Sequence, residues 1–454
     1  MPLDSIAQIN ISLSAQPAAR PTFSVALFMG DFTPAQDALF GAALTAEISA
    51  LNFLNELAAL GFSSGNALFD SVQTHFTQAQ VPVRCIIARR QDTQAQVNTY
   101  LVTGATDGTY TVTIGGVDFS FVAVGSTADL IRDGLVAAIN GGAEPVTAAP
   151  GGAGTLTVTA DQAGIPFTSA TSSTGDPITD TPTTPSIGIN DDLTDFNNER
   201  IDWYGVLEVD RDDEEQELLA DSIEAFPRDL LGIELTNDAN AQGGDAPLDL
   251  GAKLRDKNIF RTGVWWNANE QEYVDAAIVG KMFAFDPGDA TWAAQTLVGV
   301  VGISAAGLTP ALTSETRLVA KNYSWLEQFT AAQFSMTSHT GTVANGQFYD
   351  VIRGRDAVAA EMQLRLVEAL RDNPKLPYTD EGAAVLGSVI DAVLLEFAEP
   401  DAGLVVGSTI VVRVPPITAQ SPVDKANRHF ANITWSATLQ GAIHTLEVNG
   451  ALVP

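Results

Sequence analysis

The feature that most constrains this chain is a rhythm. Nearly continuous apolar runs alternate with helical patterns. The runs are "TFSVALFMG" (22–30), "VPVRCIIARR" (81–90), "IDWYGVLEV" (201–209), "LLGIELTND" (230–238) and "IFRTGVWW" (259–266). A strand that is apolar at almost every position is buried on both faces, and such strands belong to parallel sheets covered by helices. The intervening helices are "DDEEQELLADSIEAF" (212–226), "PLDLGAKLRDKN" (247–258) and "NEQEYVDAAIVGKMFAF" (269–285). The first carries its acids in the opening turn, where they suit the helix dipole. The alternation predicts the α/β class with a parallel-sheet core.

Between 100 and 189 the rhythm is interrupted and Gly, Thr, Ser, Ala and Pro dominate. "GTYTVTIGGVDFSFVAV" predicts a hairpin turning at Gly115-Gly116. "STADLIRDGLVAAIN" predicts a helix opened by Ser126 or Thr127. "AGTLTVTADQAGIPFTSAT" predicts two more strands, and "SSTGDPITDTPTTPS" a polar exit linker. We read this as a ββαββ module inserted into the core and lying on its outer surface. With 454 residues, the chain divides into an N-terminal extended arm (1–20), the α/β core (21–99 and 190–311), the module (100–189), a C-terminal α+β domain (312–431) and a C-terminal β arm (432–454).

One short stretch raises the question of catalysis. "GFSSG" (61–65) matches the G-x-S-x-G pattern of serine hydrolases. A nucleophile elbow needs a strand before the serine and a helix after it. Here "TAEISALNFLNELAALG" (45–61) reads as a helix, with Ile48, Leu51, Leu54 and Leu57 on one stripe and Gly61 as its C-cap. A second helix follows at about 66–78, with Leu68, Val72 and Phe76 on its stripe. Ser63 or Ser64 is then an N-cap rather than a nucleophile. The histidines, His75, His339, His429 and His444, stand in no motif that marks a catalytic base.

Other chemistry is also disfavoured. No G-x-G-x-x-G follows a strand and no Walker-type loop occurs, so a nucleotide cofactor is not expected. The acid run 208–217 lacks the glycine and the twelfth-position glutamate of a calcium loop. Lys+Arg number 23 against 55 Asp+Glu, a net charge of −32, which repels nucleic acid. The single cysteine, Cys85, lies in an apolar run and reads as a small core hydrophobe. No run approaches the ~18 apolar residues of a membrane helix, and "MPLDSIAQIN" lacks a secretory pattern. In "DVIRGRD", Asp350, Arg353, Arg355 and Asp356 form a candidate ion-pair cluster, structural or interfacial.

Both ends carry strand alternation. Ile9, Ile11 and Leu13 alternate in "INISLS"; Ile433, Trp435, Leu439, Leu446 and Val448 do so in the last β runs. Such arms can add to a neighbour's sheet. The anchors Ile433, Trp435, Leu439 and Leu446 would contribute on the order of 6–12 kcal/mol of gross burial. Ordering the backbone at ~1–2 kcal/mol per residue offsets much of that, so one arm binds weakly and an array binds by avidity. On this reading these residues bury against neighbouring protomers, and Trp435→Ala weakens assembly while barely changing the monomer.

Four stretches together resemble the contractile tail sheath proteins of myovirus-type bacteriophages. They are "GFSSGNALFDSVQTHFTQAQVPVRCIIARR", "DPGDATWAAQTLVGV", "GQFYDVIRGRDAVAAEMQLRLVEALRDNPKLPYTDEG" and "LQGAIHTLEVNGALV". The resemblance covers most of the chain outside the module and rests on the order of the motifs. It implies stacked hexameric rings forming a helical sheath around a tail tube, joined by terminal arms woven through shared sheets. Contraction of a metastable sheath would drive the tube through the host envelope. The implied partners are further copies of the chain, the tube protein, and baseplate and tail terminator proteins. No cofactor, catalysis, nucleic-acid contact or membrane insertion is implied, and the protein would sit in the virion tail after assembly in the host cytoplasm. The alternatives are a serine esterase built on Ser63, and a tube or baseplate component.

Overall fold

A computed structural model describes residues 22–91, 95–184, 188–199, 201–244, 249–304, 311–329, 334–337, 340–398 and 403–444. Ile9, Ile11, Leu13, Leu446 and Val448 lie outside the described residues. The described residues form two compact units: those within 22–30, 34–88 and 201–444 form one, and those within 31–33 and 89–199 form the other.

The larger unit begins with β1 (Ala26–Gly30), α1 (Pro34–Phe40), β2 (Thr45–Ser49), α2 (Phe53–Ala59), α3 (Ala67–Phe76) and β3 (Arg84–Arg89). The smaller unit holds β4 (Val97–Val102), β5 (Gly108–Ile114), β6 (Val117–Ala123), α4 (Ala128–Asn140), β7 (Val146–Pro150), β8 (Thr155–Ala160), β9 (Ser169–Ser173), β10 (Ile178–Thr184) and α5 (Ile189–Asn198). The larger unit resumes with β11 (Gly205–Glu208), α6 (Asp213–Ala225), β12 (Leu231–Thr236), α7 (Leu250–Asp256), β13 (Thr262–Trp266), α8 (Val274–Met282), β14 (Ile303–Ser304), α9 (Ala311–Ala320), β15 (Ser324–Phe329) and β16 (Phe334–Thr337). It ends with α10 (Tyr349–Asp372), α11 (Asp380–Glu396), β17 (Val411–Arg413), α12 (Pro422–Asn427) and β18 (Thr434–Ser436).

The fold is α/β, as the alternation requires. The main sheet runs β14-β15-β13-β12-β11-β1-β3-β2, with β16 on β15. The pairs β1–β11, β11–β12, β12–β13 and β13–β15 are parallel. Strands β1, β11, β12 and β13 are buried at every residue, which is why they read as continuous apolar runs. Trp203, Trp265, Trp266, Trp292 and Trp325 are all fully enclosed. Cys85 is buried in β3, and burial pushes its thiol well above the usual range, so it packs as a hydrophobe. The main sheet takes up β15 and β16 from within 312–431.

One helix expectation is corrected. Residues 45–49 are not helical: they form β2, antiparallel to β3, with Ile48 opposite Cys85. Thr45 and Ile48 are β-branched, which suits a strand, and Ile48 is buried in the sheet. Leu51 is 97% exposed and Leu54 48%, so the middle of the supposed helical stripe faces water. The helix is the shorter α2, which buries Leu57.

In the smaller unit the hairpin β5–β6 turns at Gly115 and Gly116, at φ 59 and 87, where a side chain would be strained. Thr127 is the N-cap of α4, accepting the Leu130 N–H. Ile131, Leu135 and Ile139, four apart, seat α4 in a core with Tyr100, Tyr110, Val112, Leu156 and Val158. The strands form a four-stranded sheet, β10-β4-β8-β7, and a three-stranded one, β6-β5-β9. The unit therefore has more strands than ββαββ. The expected exit linker contains β10, which pairs with β4 at the sheet edge. Pro182 hid it: proline is tolerated on an edge strand, and the register shifts between Pro182 and Thr184.

Candidate functional site

The GFSSG turn is built by two helix caps. Gly61, at φ +84, follows the last turn of α2. The Gly61 N–H donates to the Ala58 carbonyl at 3.1 Å and the Phe62 N–H to the Leu57 carbonyl at 3.0 Å. Leu57 and Phe62 are both buried, which completes a Schellman motif with its apolar contact. Asn66, not Ser63 or Ser64, caps α3: its side chain accepts the N–H groups of Leu68 and Phe69 at 3.1 and 3.2 Å. Ser63 and Ser64 are exposed between the two helices, and no strand leads into them. We expect Ser63→Ala to leave stability within ~0.5 kcal/mol and Asn66→Ala to cost ~1 kcal/mol, read by urea unfolding. Labelling of Ser63 by a fluorophosphonate would contradict this.

His75, on α3, offers no base to that turn. It is fully buried against Phe28, with ring centroids 5.2 Å apart. Burial pushes its pKa down to about 3. A depressed base adds stability that is complete above its unfolded pKa, about 6.5, and is lost as pH falls toward 3. The core should lose on the order of 4 kcal/mol from this group across that window. His75→Leu should flatten that part of the acid unfolding curve; an unchanged curve would refute the assignment.

The 350–356 group divides. Arg353 and Asp356 lie on the buried face of α10, but they do not meet as a pair. Arg353 donates to the backbone carbonyls of Phe23, Met282 and Phe285 at 2.7–3.1 Å, and burial lowers its pKa to about 10. It closes the loose ends of three segments. Asp356 accepts from the two terminal guanidinium nitrogens of Arg261 (2.9 and 3.3 Å), from the Tyr204 hydroxyl (2.9 Å) and from Arg355 (3.0 Å). Asp229 also takes a hydrogen bond from Arg261. Burial, then the Asp356 charge, pushes Asp229 up to about 7. Asp350 lies apart, facing Thr291 and His444, and burial raises its pKa. No local pattern marks Arg261 as the main partner. The only hint is a cation inside "IFRTGVWW".

The C-terminal hairpin of helices carries the exposed sheet. Val358, Met362 and Leu366 of α10 pack with Ile390, Val393 and Leu394 of α11. Against them lie β17 and β18, antiparallel, with Val412 opposite Trp435. The sheet has two strands, and among the described residues no third strand pairs with either. Alternate residues face water, and Val411 is 43% exposed. A groove of about 570 Å³ opens beside β17, lined by Ala384, Gly387, Ser388 and Asp391 of α11 and by Val412 and Val414.

The C-terminal arm, expected to project from 432, is corrected over its described part. Ile433 and Trp435 pack against the chain's own α10–α11 pair. Leu439 bridges to Val405 and is half exposed. A strand with one apolar face is satisfied by any apolar surface, and this helix pair supplies one through Leu386, Val389 and Phe397. Farther on, His444 meets Thr291 at 2.9 Å and the edge of Phe348, while Ile443 is 86% exposed. Trp435→Ala should therefore cost stability within the monomer, contrary to the expectation from sequence.

No helix among the described residues is long and apolar enough to cross a membrane, and no group of His, Cys, Asp or Glu there is arranged to hold a metal. No protein-family model and no curated protein sequence matches the chain. Among solved structures, a chain of the cryo-EM structure of the anti-feeding prophage (AFP) baseplate, 6-fold symmetrised, shares the fold. The TM-score is 0.51 at 12% identity, covering 98% of each chain.

Proposed function

We propose that this chain is a structural subunit of a contractile phage-type tail sheath, polymerising as stacked hexameric rings around a tail tube. The observation that carries the reading is the β17–β18 sheet. It is exposed, has only two strands among the described residues, and offers unpaired backbone groups on its outer edges. Its inner face is covered by the α10–α11 pair, while an extended segment from another copy can add to an open outer edge by main-chain hydrogen bonds. The segments suited to do so are those of Ile9, Ile11 and Leu13 and of Leu446 and Val448. Their alternation matches the pleat of a receiving sheet. Exposed Val411, Leu439 and Ile443 would be covered at the same contact. The end-to-end likeness to a chain of a six-fold baseplate supports a place in a tail-like injection assembly. In that role, work comes from the difference between two packings of one chain, so no cofactor is needed.

A second reading is a baseplate component. It is favoured because the similar solved chain was seen within a baseplate. Electron microscopy of the purified chain separates the readings. Tubes many rings long support the sheath, and discrete single rings support the baseplate role. A compact monomer that hydrolyses generic esters through Ser63 would overturn both.

A further inference from the structure

At the carboxyl ends of β11 and β12 the core encloses more acid than base. The parallel register sets Gly205 beside Leu231 and Val206 beside Gly232. Carried two residues on, that register sets Glu208 opposite Glu234, on strands about 4.8 Å apart, and the Glu208 charge acts on Glu234. Both side chains are fully buried. Burial, then the Asp210 charge, raises the pKa of Glu208 as well, but Glu208 accepts the backbone N–H groups of Asp210 and Arg211, each at 2.5 Å, which favours its charged form over that of a carboxyl with no donor. Glu234 differs: neither of its carboxyl oxygens has a hydrogen-bond partner.

The groups acting on this pair come from every neighbouring element. They are Asp210 and Arg211 in the loop after β11, Asp213 and Glu215 of α6, Asp275 of α8, and Tyr349 of α10. The cation facing Glu234 is Arg211, which is committed to Asp275 at 3.2 and 3.4 Å and to the Tyr273 ring at 4.5 Å. Two buried carboxylates side by side cannot both ionise without a donor for each.

We propose that Glu234 holds a proton at neutral pH and acts as a pH-sensitive latch on the carboxyl ends of β11 and β12. The neutral carboxyl can donate its O–H toward a neighbouring carboxylate, and Glu208 is the one its register provides. Burial, and then the charge of Glu208, pushes Glu234 well above the ordinary glutamate range. The sign follows. A carboxyl whose folded pKa is raised contributes stability that is full below its unfolded pKa, about 4.3, and lost as pH rises through the folded value. Alkaline pH therefore loosens this end of the sheet. The loop through Arg211 and the start of α8 at Tyr273 lie against it, and both residues hold left-handed backbone angles, φ 61 and 47.

The test is a pair of measurements on the full chain. Melting temperature is followed from pH 5 to 9 for the wild type, Glu234→Gln and Glu234→Met. Both variants should melt at least about 2 °C higher at pH 8, with the gap closing toward pH 5. Infrared difference spectra at pH 7 should show a protonated-carboxyl band in the wild type that Glu234→Gln lacks. Variants that melt lower than wild type across the whole range would overturn the proposal. So would a difference spectrum without that band, a result that needs only one folded variant.

Discussion

Asp356→Ala is expected to destabilise the larger unit by about 3–5 kcal/mol, the cost of removing one partner from a buried ion pair. Asp356 is fully enclosed and receives Arg261, Tyr204 and Arg355. Without it, the Arg261 guanidinium stays buried with only Asp229 and the Leu230 carbonyl, and the Tyr204 hydroxyl loses its acceptor. The site joins α10 to the segments entering β11 and β13, so the loss should be felt through the sheet. Removing both charges is the informative control. Asp356→Ala combined with Arg261→Met should recover part of the loss, because the buried guanidinium goes with its partner and Asp229, already pushed up to about 7 by burial, can take up a proton once Arg261 is gone. Urea unfolding of the two singles and the double reads this directly. A single variant within about 1 kcal/mol of wild type would mean that the network contributes little.

Deleting residues 1–14 is expected to abolish assembly while leaving a folded, soluble chain. The described core begins at Thr22 and keeps its own closure: Arg353 holds the Phe23 carbonyl, and the Thr22 N–H donates to Asp202 at 2.7 Å. None of those contacts needs the deleted residues. Each arm is marginal alone, since its burial only offsets its ordering, so assembly relies on many arms acting together. The loss should appear as a rise of at least about 100-fold in the concentration needed for polymerisation. Sedimentation of wild type and truncation across a concentration series measures it. Full-length polymers from the truncated chain at the wild-type concentration would contradict the role given to Ile9, Ile11 and Leu13.

How far the sequence could be read depended on how local each signal was. Strands β1, β11, β12 and β13 were legible because burial on both faces leaves an unbroken apolar run. The hairpin at Gly115-Gly116 was legible because only glycine suits that backbone. Strand β2 was missed because its apolar spacing mimicked a helix, and only the pairing of Ile48 with Cys85 reveals it. Strand β10 was missed because Pro182, tolerated on an edge strand, reads as a linker residue. At the candidate site, Asp356 was legible as a charge on a helix. Its true partners, Arg261 and Tyr204, lie 95 and 152 residues away, and nothing local announces them. Trp435 was legible as an apolar anchor; which surface receives it depends on the α10–α11 pair, which no stretch of the last β runs encodes.

If β17 and β18 are the middle of a sheet completed by other copies, their outer edges must be filled in the polymer. A cryo-EM reconstruction of the polymerised chain, at a resolution that traces strands, tests this most directly. Expected is an added strand on each outer edge of β17–β18, contributed by two different neighbours, with Ile9, Ile11 and Leu13 in one and Leu446 and Val448 in the other. Outer edges left open to solvent, or filled by the terminal segments of the same copy, would contradict it.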